Sequence, residues 1–280
     1  MTDLTATYTE APPAPMLAHG LMGNGSAPKT EGIDVSKWQG DIDYRQVEQD
    51  GVKFAAIRCT CGDYYTDNKF AQNWQGFGQT NILRTPYLVV APAWSREYGH
   101  HPLTALDHWD RFMTAFGDRK PELPIVLDCE LSRGMTPAYI SDLIRDLCWM
   151  INDKYSRLPI IYTRGNWWNA NTRSRSTFAM CDLWIARYNT FISHPWEDNA
   201  AYKPRDWDDW KFWQYSEEGV LPGIPDSHVD LDWFNGSLED LLEYGEKPVT
   251  PPPPLPLEER VEVLENEVAD LWAALESHNH

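Results

Sequence analysis

The feature that most constrains the fold is a rhythm. Eight short apolar stretches, each bounded by charged or turn-forming residues, are spread over residues 32 to about 245. They are GIDVS near 33, KFAAIRCT near 55, PYLVVAP near 88 and LPIVLDCE near 126. LPIIYT near 160, DLWIARY near 185, WKFWQYS near 213 and VDLDWF near 231 complete the set. Several are apolar almost without interruption, as parallel strands covered on both faces are. Amphipathic segments stand between the early ones. In TPAYISDLIRDLCWMINDKYS, Thr136 is placed to cap a helix and Pro137 to begin it, with Ile140, Leu143, Ile144, Leu147 and Ile151 along one face. Eight strands alternating with helices predict an α/β barrel. Beyond WIARY the rhythm changes, because the next linker holds Pro195 and Pro204 and no helical period. About a dozen residues then separate the last two strands. The expected architecture is an irregular TIM-like barrel, (β/α)5(β)3, with five βα units followed by three nearly bare strands.

The fourth stretch ends in two acids. In PELPIVLDCELSRG, residues 121–134, Asp128 and Glu130 are separated only by Cys129. In a strand this spacing points both side chains to one face, about 6–7 Å apart at Cα, and barrel enzymes carry their chemistry at the C-terminal strand ends. Two such acids suit one neutral carboxylic acid beside one ionised partner, the pair that glycoside hydrolysis requires. Asp34 ends strand one, and Asp230 and Asp232 lie on strand eight, its neighbour in a closed barrel. Taken singly, each has a plainer use. A D-x-E can cap a helix or pair with Arg, Asp34 can serve a turn, and Asp232 can face outward. Their joint placement, with Trp and Tyr alongside, favours a site. Fourteen Trp can fill a core or form the flat platforms on which sugar rings stack, and a surplus this large favours a carbohydrate site.

Charge and cysteines narrow the field. A formal net charge of −18 argues against nucleic-acid binding, which needs clustered Lys and Arg, and against adhesion to an anionic membrane. No apolar run reaches the 18 residues of a membrane span. Five Cys include no CxxC pair, and nothing has zinc-ligand spacing, so no metal and no cofactor is expected. Cys59 and Cys61 are expected on the same side of a strand as free thiols. His100, His101 and His108 read as solvated surface.

Composition divides the chain further. Residues 1–31, rich in Pro, Gly, Ala and Thr, read as a flexible N-terminal arm, without the basic and apolar regions of a secretory signal. Residues 32–245 form the barrel, and 246–256 (EKPVTPPPPLP) a semi-rigid Pro-rich linker. In 257–280, Leu257, Val261, Leu264, Val268, Leu271 and Leu275 are spaced 4-3-4-3-4. With Val261, Val268 and Leu275 at a and Leu at d, this helix can form a short parallel coiled coil, making a homodimer through residues 257–275, or dock on its own barrel.

In this order, GIDVSKWQGDIDY, PIVLDCE, PIIYT, LWIARY, FWQYSEEGVLPGI and VDLDWFNG resemble the glycoside hydrolase family 25 lysozymes, the muramidases of many phage endolysins and bacterial autolysins. The resemblance spans residues 32 to about 238. It implies the five-plus-three barrel and hydrolysis of the β-1,4 bond between N-acetylmuramic acid and N-acetylglucosamine in peptidoglycan glycan strands. It casts Glu130 as general acid, Asp128 as the carboxylate assisting at the N-acetyl group or the developing positive charge, and Asp34 and Asp230 as the rest of an acidic cluster. Trp38, Tyr162, Tyr188, Trp213 and Gln214 become candidates for the sugar groove. Two positions depart from the family: Cys61 stands where many relatives carry Glu, and Leu88 where many carry His, both at positions that border the mouth. A nucleophilic carboxylate, a water-activating base and attack by the substrate's own acetamido oxygen are all open courses, the last favoured by Asp128. The setting implied is a phage endolysin, held in the host cytoplasm until a holin releases it to the wall, or else carried on the virion. The rival reading is a non-catalytic wall-binding barrel dimerised by its tail.

Overall fold

The computed structural model describes residues 28–94, 101–189, 191–225 and 228–246, together with positions 261 and 265. The expected arm up to residue 27, the expected Pro-rich linker from residue 247 and most of the expected C-terminal helix with its coiled-coil seam lie outside the described residues, and position 246 ends a helix. Strands β1 (Lys29–Val35), β2 (Phe54–Cys61), β3 (Tyr65–Thr66), β4 (Leu83–Val89), β5 (Val126–Asp128), β6 (Ile160–Thr163), β7 (Asp182–Ala186), β8 (Phe212–Gly219) and β9 (Val229–Asn235) form one sheet. Its order is β1-β9-β8-β7-β6-β5-β4-β2-β3, and a further β1–β2 pairing closes eight strands into a barrel, with β3 as a two-residue hairpin outside it. β1 begins at Lys29, so residues 29–31 belong to the barrel and not to the arm that composition assigned to 1–31; they pair with Asn235–Trp233.

Helices α1 (Tyr44–Gln49), α2 (Phe70–Phe77), α3 (Ala105–Phe116) and α4 (Pro137–Tyr155) follow the first four barrel strands, and α5 (Gly165–Asn171) and α6 (Ser176–Met180) follow β6. Among the described residues no α-helix lies between β7 and β9, and α7 (Leu238–Glu246) ends the barrel. The five-plus-three pattern is therefore present. In α4, the Thr136 hydroxyl accepts from the Tyr139 N–H, Pro137 opens the first turn, and the five expected apolar residues are all buried.

All barrel strands run parallel except β9, which is antiparallel to both β1 and β8. Inside, Phe54, Trp184, Phe212 and Phe234 pack edge to face and tilted at centroid separations of 5.2–6.2 Å. Leu241 and Tyr244 of α7 join this inner core. Gly32 makes room for it: a Cβ there would lie 2.2 Å from the Phe54 ring.

Where helices are missing, tryptophan covers the sheet. Trp213 contacts Trp210 at 5.6 Å and Trp233 at 5.2 Å between ring centroids, and Tyr215 stacks on Trp233 at 4.0 Å. Trp207 joins Trp168 at 4.9 Å and donates its indole N–H to the Cys181 carbonyl. Among the described residues seven Trp are buried. Part of the surplus that pointed to a sugar site, Trp207, Trp210, Trp213 and Trp233, thus serves as outer wall in place of helices.

His108 also departs from expectation. It is wholly buried on α3, its Nε2 accepting from the Ala91 N–H and its Nδ1 2.7 Å from the Thr104 carbonyl. Burial lowers its pKa, and this neutral histidine ties α3 to the strand end. His101 is exposed.

Candidate active site

A cleft of about 400 Å³ opens at the end of the barrel where the parallel strands finish and β9 begins. Asp34, Asp128, Glu130 and Asp230 all line it, with Trp38, Tyr162, Tyr188 and Gln214. Asp128 is the last residue of β5, and Glu130 stands on the loop just beyond, so Cys129 turns away and is buried. Asp230 reaches the mouth for a different reason. It lies near the start of its strand, which in an all-parallel barrel would place it at the closed end. Because β9 is antiparallel, Asp230 is the register partner of Asp34.

Asp232, two residues deeper, also faces inward. It is fully buried and accepts the Trp184 indole N–H at 3.0 Å, which settles the alternative left open by its sequence.

The segment SKWQG builds the aromatic edge. Ser36 caps a short turn over Lys37–Gln39, and the Gln39 side chain returns to accept from the Ser36 N–H at 2.8 Å. Trp38 is thereby presented 69% exposed, with the Lys37 ammonium 4.5 Å from its ring centroid.

Gln214 and Trp213 were both expected in the groove, but adjacent strand residues face opposite sides. Gln214 points in. Trp213 points out, buried in the tryptophan layer with its indole N–H donated to the Arg187 carbonyl at 2.6 Å. Gln214 is itself a hub. Its amide nitrogen donates to Asp34 Oδ2 at 2.7 Å, and its oxygen accepts from the hydroxyls of Tyr162 at 2.9 Å and Tyr188 at 3.0 Å. Arg164 donates to the Tyr188 hydroxyl at 3.1 Å, and its Nε lies 3.9 Å from Glu130 Oε2. Arg164 and Glu130 are 45% and 34% exposed, so this is an open, long pair and not a locked one.

β2 carries a bulge between Arg58 and Thr60. It changes the strand's parity: Phe54 and Ala56 join the inner core, Arg58 and Cys61 both line the cleft, and Cys59 is buried in the outer layer. The two cysteines do not share a side, as simple alternation predicted; re-aiming a side chain at a site is a common use of a bulge. Cys61 Sγ lies 3.3 Å from the Tyr64 hydroxyl. On β4, Tyr87 and Val89 line the cleft. Leu88 is buried in the outer core, so the residue in that slot does not border the mouth. All five cysteines are free thiols.

Crowded, buried carboxyls hold their protons. Burial, opposed by the Gln214 hydrogen bond and reinforced by Asp128, lifts Asp34 to about 7. Burial and then the charge of Asp34 lift Asp230 to about 9. Asp128 is raised by burial and the charge of Glu130, against Arg58 and Arg164, and its Oδ1 has no hydrogen-bond partner. Sequence reasoning missed Arg58, Arg164, Glu217 and Trp184, all of which line the cleft. Arg164 directly follows β6 and could have been found by its position at a strand's C-terminal end. Arg58 shares the parity of the inward-facing Phe54 and Ala56 and could have been found by alternation, whereas the approach of Cys61 depends on the bulge. Among the described residues no group of three or more His, Cys, Asp or Glu is placed to hold a metal ion.

An acidic, aromatic-walled cleft at the C-terminal mouth of an α/β barrel defines a carbohydrate-cleaving enzyme. The profile of glycosyl hydrolases family 25 matches residues 33–224, and the chain belongs to that family. The match ends before β9, so Asp230 enters the site on structural grounds. Lysozyme M1 of Streptomyces globisporus is 30% identical over 230 residues, covering 79% of this chain and 73% of that protein. A bacterial lysozyme from Streptomyces coelicolor superposes with a TM-score of 0.66 at 30% identity, over 77% of this chain and 96% of its own. A family GH25 lysozyme from Aspergillus fumigatus gives 0.66 at 26% identity, over 79% and 100%.

Proposed function

We propose that this glycoside hydrolase is a lysozyme, an N-acetylmuramidase that cleaves the β-1,4 bond between N-acetylmuramic acid and N-acetylglucosamine in bacterial peptidoglycan. The observation that carries this reading is the convergence of Asp34, Asp128, Glu130 and Asp230 on one open cleft beside Trp38, Tyr162 and Tyr188. Similarity to lysozyme M1 across most of both chains supports the substrate class.

Glu130 is the general acid in this reading. Of the carboxyls at the mouth it stands on the loop beyond β5, a third exposed, where a glycosidic oxygen can reach it. Protonating that oxygen lets the C1–O bond break. The substrate's acetamido oxygen attacks C1 from the other face, and the unpartnered Oδ1 of Asp128 accepts the acetamide N–H, orienting the group and supporting its developing positive charge. Water then opens the ring intermediate at C1 and returns a proton to Glu130. Asp34 and Asp230 border the same space and add negative potential as they ionise. The course retains the anomeric configuration; inverted product would exclude it.

Clearing of a purified cell-wall suspension by the wild type, set against Glu130→Gln, tests the assignment. Equal clearing by both removes Glu130 from the role. No clearing by either favours a wall-binding module.

Two wider proposals accompany this one. Lysis of a phage-infected host is the setting, tested by whether expression inside cells lyses them only when a membrane pore is co-expressed. Homodimerisation through residues 257–275 would give two catalytic heads on a polymeric substrate. Deleting residues 246–280 should then more than halve the solution mass, and a dimer left unchanged would refute the tail's role.

A further inference from the structure

A second hollow, of about 530 Å³, lies beside the first. It is bounded by Glu130, Leu131, Ser132, Arg133, Gly134 and Trp167, and it shares only Glu130 and Leu131 with the acidic cleft. Two short segments shape it. After Glu130 the chain turns back through consecutive left-handed residues, Arg133 at φ 48° and Gly134 at φ 79°. From the other side, Arg164 leads straight into α5, whose third residue is Trp167. This one turn therefore touches both spaces, with Arg164 in the acidic cleft and Trp167 in the second hollow.

We infer that the second hollow is the leaving-group subsite, and that Trp167 is the platform on which the departing N-acetylglucosamine residue stacks. The inference rests on the muramidase reading and deepens it. A general acid must stand between the two sugars whose bond it breaks, because it protonates the oxygen that joins them. The sugar that develops positive charge at C1 belongs with the carboxylates, and Asp34, Asp128 and Asp230 line only the first cleft. The sugar that leaves then belongs on the other side of Glu130. Among the described residues that side holds no carboxylate besides Glu130, but it offers the Trp167 indole and the exposed Arg133, whose guanidinium also reaches the Tyr64 hydroxyl. This suits a neutral sugar, with an apolar ring face for the indole and hydroxyls for the guanidinium. Trp167 is half-buried, one part of it packed on the outer core and the rest bordering the hollow. It can hold position and still present a surface.

The test compares two substrates. One is a soluble peptidoglycan oligosaccharide, which has a sugar on both sides of the scissile bond. The other is a glycosyl fluoride of the same donor sugars, whose leaving group is fluoride and places no ring in the second hollow. Trp167→Ala should lower kcat/KM on the oligosaccharide about tenfold and leave the glycosyl fluoride within about twofold of wild type, with Trp167→Phe recovering part of the loss. Equal losses on both substrates, or no loss on the oligosaccharide, would overturn the assignment. Glu130→Gln separates the two readings, since it should impair the oligosaccharide whatever Trp167 does. Failure of the wild type to cleave either substrate would overturn the muramidase reading and this subsite with it.

Discussion

Asp34 and Asp230 face each other across the antiparallel seam between β1 and β9, one at the end of its strand and the other near the start. The seam makes a carboxyl pair out of residues almost 200 positions apart in the chain. Burial, with the charge of Asp128, lifts Asp34 to about 7 even though its hydrogen bonds to Gln214 and Asp230 pull the other way, and burial with the charge of Asp34 lifts Asp230 to about 9.

That pair makes stability depend on pH in a definite direction. Each carboxyl has a folded pKa above its ordinary 3.8, so the native state binds more protons than the unfolded one. Their contribution is full below about pH 4 and falls as pH rises through 7 and 9. Asp230→Asn keeps the hydrogen-bonding shape and removes the titration. The variant should gain Tm relative to wild type as pH goes from 5 to 9, measured by calorimetry. A Tm difference constant with pH would refute the pair.

Gln214 acts on Asp34 through its amide. Its oxygen is occupied by two tyrosine hydroxyls, which leaves the nitrogen facing the carboxylate. That donor stabilises the charged form, so Gln214→Leu should move the Asp34 pKa above 7. A ¹³C carboxyl NMR titration reads the shift, and an unmoved resonance would show that the hub does not tune the acid.

Gly32 is the inner core's clearance for Phe54. With a Cβ 2.2 Å from the ring, Gly32→Ala forces the aromatic stack to shift, at about 1–3 kcal/mol. Denaturant unfolding should report that loss. The paired change Gly32→Ala with Phe54→Leu should recover part of it, and no recovery would place the strain elsewhere.

How much of this was legible depends on parity and direction. The eight strands, the bare stretch after β7 and the cap of α4 follow from periodicity, Pro placement and Thr136. The four acids were found because strand ends are readable. What alternation alone could not supply was the bulge in β2, which separates Cys59 from Cys61 and brings Cys61 to the mouth, and the reversed direction of β9. Trp213 is a different case. Its parity opposes that of Gln214, so the sequence already excluded having both in the groove. Leu88 obeys the same parity, since its neighbours Tyr87 and Val89 line the cleft and it faces the outer core. His108 shows the limit of local reading, because burial there depends on β4 and α3 meeting.

The most direct measurement is the sugar at the newly formed reducing ends of digested, purified peptidoglycan, identified after borohydride reduction. Wild type should release chains ending in reduced muramic acid, with Glu130→Gln about 10²- to 10⁴-fold slower. Reduced glucosamine ends, or release by the variant at the wild-type rate, would contradict cleavage of the muramidase bond by Glu130.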